Sequence, residues 1–210
     1  MTYLEATHHL DYHHPAIQSL IAPFRELPTQ QEQATALYLR IRDGYRYNPY
    51  RISLRPDDYR ASVLAPRTDA HCVDKAILYV AGLRALGIPA RIHLGTVINH
   101  IAVERLTEKF GTNELSPHGM VNLYLDGKWL KASPAFNKEL CKRCGVDPLE
   151  FDGASDSVFQ QYDRSGQKFM EYTEDFGHFE DVPVDFMFET MARKYPVFAQ
   201  KVKLGDVVKF

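Results

Sequence analysis

The chain has 210 residues, 45% of them hydrophobic, and a formal net charge of −2 with its 25 Lys and Arg scattered rather than blocked. That length and composition can bury a full core, and the balanced charge excludes the electrostatic footprint of nucleic-acid or anionic-membrane binding. No run of about 18 apolar residues is present to span a bilayer, no basic stretch leads into an apolar one at the N-terminus, and three cysteines point to a reducing compartment, so the expectation is a soluble, cytoplasmic protein.

Residues 1 to about 28 mix His, Pro and apolar positions. The pairs His8-His9 and His13-His14 invite a metal reading, but no Cys or carboxylate cluster follows them and no metal or cofactor motif is expected. Thr29 with Glu32 three residues on forms a capping box. It predicts a helix from about Gln30 to Tyr45, with Ala34, Leu37, Tyr38 and Ile41 at helical spacing. Pro49 ends it through the restriction it places on Asn48. Residues 51–71 carry two prolines and little periodicity, which predicts a loop with at most one short helix.

Cys72 opens the next helix, which runs to Leu86 with Val73, Ala76, Ile77, Val80 and Leu83 on one face. Thr68 or Asp69 is placed to cap it. Gly87 suits a left-handed stop, and Pro89 prevents continuation. Ala90 to Ile98 alternates with strand period, and 99–117 reads as irregular with a short helical turn near Val103 to Phe110. The hairpin 118–134 turns at Asp126-Gly127, the favoured two-residue turn chemistry.

If Asp126 and Gly127 are the loop residues, Leu125 pairs with Lys128, Met120 with Ser133 and His118 with Ala135. His118, Met120, Asn122, Tyr124, Trp129, Lys131 and Ser133 then share one face, and Val121, Leu123, Leu125, Leu130 and Ala132 the other. Ser133 is the diagonal neighbour of His118, about 7–8 Å away backbone to backbone. Tyr124 and Trp129 are placed either to wall a cleft or to pack in the core. Beyond 145 the chain turns aromatic and acidic, with a last helix from Asp185 to Lys194 and a strand near Val207-Val208. If that third covers the cleft as a lid, truncation after Asp147 should raise activity.

A thiol at a helix N-terminus beside an imidazole on a sheet is the pair that thiol-based acyl transfer requires. The unpaired N–H groups and dipole favour thiolate, and the imidazole takes the proton. Cys72 and His118 are therefore the candidate nucleophile and base. His71 and His100 are rival bases that read more naturally as loop or surface histidines. Cys141-Lys-Arg-Cys144 has CxxC spacing, but without further ligands or a preceding strand it reads as two unrelated thiols.

These residues resemble a known family. The Cys72 helix, the stop Arg84-Ala-Leu-Gly-Ile-Pro-Ala-Arg91, the His118 strand and Tyr124-Leu-Asp-Gly-Lys-Trp129 are similar to the transglutaminase-like core of the papain-like cysteine-enzyme superfamily. Arg46-Tyr-Asn-Pro-Tyr50, Lys131-Ala-Ser-Pro-Ala-Phe-Asn137 and Pro148-Leu-Glu-Phe-Asp-Gly153 resemble a bacterial branch of it, and the likeness extends over roughly 30–195. The resemblance implies a single α+β domain over 1–210, with a core of about 30–140 and an aromatic extension of about 145–210, in which the Cys helix packs on an antiparallel sheet. It implies a Cys-His-Asp arrangement with Cys72 as nucleophile and His118 as base. Ser133 stands where the family has Asp; a neutral hydroxyl can fix the imidazole tautomer but not stabilise imidazolium as a carboxylate does. Asn137 is a second candidate for that role. The Cys72 N–H is a natural oxyanion donor, and Tyr47 or Asn48 could add a side-chain donor.

The implied activity is cleavage or transfer at a peptide or protein amide through a Cys72 thioester, with hydrolysis favoured over cross-linking because no calcium-site pattern appears. The alternative is a non-catalytic binding module on the same fold, which Ser133 favours. A third reading, a small-molecule acyl donor as used by arylamine acetyltransferases, needs the same Cys-His pair.

Overall fold

A computed structural model describes residues 2–100, 103–195, 197–198 and 207–209. Its first helix, α1 (Pro15–Ile21), is capped by His14, whose Nδ1 accepts the Ala16 N–H. The capping box at Thr29 and Glu32 is fully formed and starts α2 (Gln30–Gly44), which buries Ala34, Leu37, Tyr38 and Ile41, the apolar stripe its spacing predicts.

The stretch after α2 is more regular than a loop. β1 (Arg46–Tyr47) pairs in parallel with β3 (Asp69–Ala70), while β2 (Arg51–Ser53) pairs antiparallel with β8 (Val207–Lys209). A 3-10 turn over Pro56–Tyr59 and the short α3 (Ala61–Leu64) lie between them. Two- and three-residue strands are too short to show period-two alternation, so the sequence carries no signal for them. Their consequence is local: pairing Tyr47 with Ala70 carries Tyr47 to the start of the next helix.

That helix is α4 (Cys72–Ala85). His71 caps it, not Thr68 or Asp69: its Nδ1 accepts the Val73 and Asp74 N–H groups, at 3.1 and 3.3 Å, while Asp74 returns a bond to the His71 N–H at 3.2 Å. An imidazole with an acceptor nitrogen here does the work of a Ser or Thr cap. Instead of one apolar face, α4 is buried on every side; Ala76, Ile77, Leu78, Tyr79, Val80 and Leu83 have no exposed surface. Each large aliphatic side chain buried this way contributes about 1.5–3 kcal/mol. Arg84, also interior, satisfies its guanidinium on the carbonyls of Ala90, Glu5 and Glu180, as a buried charge must. The helix stops at Gly87, at φ 77°.

The main sheet runs β6-β5-β4-β7, antiparallel throughout, and α4 packs on β5. β4 (Ala90–Asn99) is central, which explains why His93 on its second face is buried as well. α5 (Val103–Phe110) occupies the predicted helical turn. β5 (Glu114–Leu125) begins four residues before His118, so His118 lies within the strand and does not lead it. The register is irregular opposite Gly95 and Val97, a bulge that obscures the alternation of the first residues. β6 (Lys128–Ala132) returns in the predicted register, Leu125 opposite Lys128 and Val121 opposite Ala132. The turn residues Asp126 and Gly127 both have positive φ, the geometry that makes Asp-Gly the preferred choice.

Two expectations fail in the second half. Pairing stops at Ala132, so Ser133 does not face Met120 across the ladder; its N–H instead donates to the Ser157 carbonyl at 2.9 Å. The C-terminal third also supplies an element that was not foreseen, β7 (Met170–Phe179), which forms the sheet edge against β4. Two register shifts along β4–β7 break the alternation that would have revealed it. α6 (Lys138–Cys144) and α7 (Val184–Lys194) complete the order. No described helix is long and apolar enough to cross a membrane.

Candidate active site

Cys72 is the first residue of α4 and is 6% exposed. Its surroundings follow from one close approach. A Cβ built on Gly119 would lie 2.6 Å from Val73 Cα and 3.0 Å from the Cys72 carbonyl oxygen, so only glycine lets β5 meet the helix end this closely. The approach aims the Gly119 N–H at the Cys72 sulfur, beside the N–H groups of Cys72 and Val73. His118 is the residue whose carbonyl forms that same peptide unit.

Cys72 and His118 are both buried. Burial pushes the Cys72 thiol up to about 11, against the pull of the three backbone amides. Burial likewise brings the His118 imidazole down to about 4, with His71 adding to the shift. The helix-end thiolate anticipated from position alone is therefore not the resting form: desolvation outweighs the dipole. Thiol and imidazole are both neutral at pH 7.

His118 Nδ1 is buried without a hydrogen-bonding partner among the described residues. Ser133 is buried, with its main-chain N–H held by Ser157 and its carbonyl by the Tyr38 hydroxyl at 3.0 Å. Asn137 is committed elsewhere: its Oδ1 accepts the Tyr47 N–H at 2.9 Å and its Nδ2 donates to Glu139 at 2.6 Å. Neither supplies the acceptor expected beside the imidazole.

The rival bases are occupied too. The His71 ring caps α4 with Nδ1 and has Nε2 3.3 Å from Asp74. His100 lies 3.3 Å from Glu171. Of the two residues considered as side-chain oxyanion donors, Asn48 bonds Asp69 and the Tyr50 N–H. Tyr47 Oη, by contrast, is buried against the thiol without a well-formed hydrogen bond among the described residues, and its N–H is held by Asn137, which fixes the backbone behind the ring.

A cavity of about 40 Å³ adjoins the sulfur, enclosed by Tyr47, Tyr59, Met187, Met191 and Tyr195 among others. Three of these come from α7 and its C-cap, so the C-terminal third does cover the nucleophile. Tyr195 is anchored there by the Ser116 N–H at 2.6 Å. No local pattern marked these residues in the sequence. Gly119 could have been found: a glycine inside an apolar strand, next to the candidate base, signals a close backbone approach.

Tyr124 and Trp129 do not reach this cavity. They pack on each other at 5.5 Å, and Trp129 carries the Arg91 guanidinium 4.0 Å from its ring centre. Cys141 and Cys144 are free thiols on α6. His8 meets Asp57 and His9 meets Asp181, and the described residues contain no cluster suited to a metal ion.

A helix that begins at a cysteine packs on an antiparallel sheet that carries a histidine, an α+β architecture. The family model of the transglutaminase-like superfamily matches residues 18–134, more than half of the chain. The chain belongs to the transglutaminase-like superfamily, whose members are generally cysteine-dependent acyltransferases and peptidases. Comparisons with curated proteins and with solved structures return no match.

Proposed function

We propose that the protein is a thiol-dependent hydrolase of peptide or protein amides, working in a reducing, cytoplasmic setting. The observation that carries this reading is the Gly119 amide aimed at the Cys72 sulfur, which sets the His118 backbone beside the nucleophile. His118 takes the thiol proton as Sγ adds to the carbonyl carbon. The oxyanion is met by the main-chain N–H of Cys72 and by Tyr47 Oη, which makes no other bond among the described residues. The C–N bond then breaks, and the departing amine takes the proton from His118. Water attacks the thioester, giving its proton to His118 and then to the sulfur, which releases the acid. Ser133 stands in the third position without bonding His118 Nδ1, so the imidazole works here without the support a carboxylate would give it.

Energetics make opening part of the cycle. Burial raises the thiol to about 11 and lowers the imidazole to about 4, so the closed site holds both groups neutral and opposes proton transfer between them. Displacing Met187, Met191 and Tyr195 admits substrate and water and relaxes the desolvation behind both shifts.

One observation favours the second reading, a binding module retired from catalysis: the partnerless His118 Nδ1. Release of chromophore from a peptidyl anilide, compared with the Cys72→Ala variant, separates the two. Turnover that is lost in the variant supports the hydrolase; equal, background release from both proteins supports the module. Adding hydroxylamine then divides hydrolysis from transfer by the product formed.

A further inference from the structure

The cavity at Cys72 has a far larger neighbour. Across the Tyr47 ring lies an open cleft of about 750 Å³, and Tyr47, Pro49 and Leu115 line both spaces. Arg46, Arg51, Arg105 and Arg143 line the cleft, against the single carboxylate of Asp69. In a chain of net charge −2, four guanidinium groups around one acid beside the nucleophile is a local excess that needs a reason.

Asp69 does not quench it. Its two oxygens are shared among Asn48 at 2.9 Å, Arg51 at 3.4 Å and Arg46 at 3.5 Å. Arg105 and Arg143 make no ion pair among the described residues; Arg105 instead lies 4.6 Å from the centre of the Tyr50 ring. The acids that feel these two charges are engaged elsewhere, Glu108 with Lys109 and Glu139 with Asn137. The wall towards the sulfur is aromatic, with Tyr47 edge-on to Phe136 at 4.7 Å. A concave surface of one charge sign with apolar walls focuses its field on an incoming anion, and guanidinium forks match the two-oxygen geometry of carboxylate and phosphate.

We infer that this cleft binds an oxyanion carried by the substrate, a carboxylate or a phosphate, on the far side of Tyr47 from the carbonyl that Cys72 attacks. The substrate class is then an anionic amide, with its charged end in the cleft and its reacting end at the sulfur. This assignment rests on the acyl-transfer reading for its reacting end, whereas anion binding itself needs no thiol chemistry.

Calorimetry on the full chain bearing Cys72→Ala tests it with three probes: acetyl-Glu-Glu-Phe amide, inorganic pyrophosphate, and neutral acetyl-Gln-Gln-Phe amide. At least one anionic probe should bind about tenfold or more tightly than the neutral peptide and should weaken as salt rises. The Arg105→Gln/Arg143→Gln double variant should lose about tenfold in that affinity; neither residue holds an ion pair among the described residues, and circular dichroism verifies its fold. Tighter binding of the peptide assigns a carboxylate, and tighter binding of pyrophosphate a phosphate. Equal binding of charged and neutral probes, or affinity unchanged in the double variant, overturns the inference. Arginine-dependent binding without any acylation of Cys72 in the native chain would keep the anion site and remove the acyl-transfer reading. Acylation of Cys72 without preference for charge would do the reverse.

Discussion

The Gly119 amide acts on the Cys72 sulfur, and a Cβ on Gly119 would fall 2.6 Å from Val73 Cα and 3.0 Å from the Cys72 carbonyl oxygen. Both colliding groups are backbone, so neither can turn aside. Gly119→Ala should therefore separate β5 from the start of α4. The expected cost is about 1–3 kcal/mol of stability, read as a lower melting temperature, together with a fall in Cys72 acylation. Wild-type melting and acylation in this variant would mean the approach has slack that the geometry denies.

Tyr47→Phe separates stability from activity. Its hydroxyl is buried and lacks a well-formed bond, so removing it relieves a desolvated polar group, and the melting temperature should hold or rise. As an oxyanion donor it should matter in the transition state, lowering kcat about 100-fold with little change in KM. Equal loss of stability and activity would assign Tyr47 to packing alone.

Ser133 offers a gain-of-function test. Because His118 Nδ1 has no partner to lose, Ser133→Ala should change the rate less than about threefold, below the worth of one neutral hydrogen bond. Ser133→Asp should raise the imidazole pKa from its depressed value and speed acylation about tenfold or more, as an adjacent carboxylate favours imidazolium. Histidine NMR titration with the acylation rate measures both. A large loss in Ser133→Ala would show that the hydroxyl orients the ring after all.

The closed site should also show in pH dependence. His118 is lowered from 6.5 to about 4, so the unfolded chain takes up this proton first as pH falls. Its contribution to stability is complete above 6.5 and lost on descent through about 4, on the order of 3 kcal/mol in all. Urea titrations across that window should show the loss, and His118→Gln should flatten it. For the thiol, raised to about 11, iodoacetamide labelling should climb about tenfold per pH unit above neutrality, with no plateau near pH 7. Met191→Ala, which opens the cover, should quicken it. A plateau near neutrality would reveal a preformed ion pair.

Much of this architecture was legible in the chain, where local signals are strong. Thr29 with Glu32, Gly87 before Pro89, and Asp126-Gly127 each specify a start, a stop or a turn, and through them α2, α4 and the β5–β6 register stand where they were expected. The His71 cap was not, because imidazole acts as a cap acceptor only when its tautomer is set by neighbours such as Asp74. β7 escaped because its bulged pairing with β4 erases the period of two. The candidate site was read from position, Cys72 at the start of α4 and His118 in β5, but the cover over the thiol comes from Met187, Met191 and Tyr195, more than a hundred residues from Cys72. Long-range burial leaves no trace in local pattern. For the same reason truncation after Asp147 is a poor test of a lid: it would remove β7 from the sheet along with the cover.

The central claim is that Cys72 becomes acylated with His118 as its base. Incubating the protein with p-nitrophenyl acetate, quenching in acid and mapping peptides by mass spectrometry reads this directly. The expected result is one acetyl group on Cys72, none on Cys141 or Cys144, and at least about a hundredfold slower labelling in His118→Ala. An unmodified Cys72, or labelling just as fast without the imidazole, would contradict it.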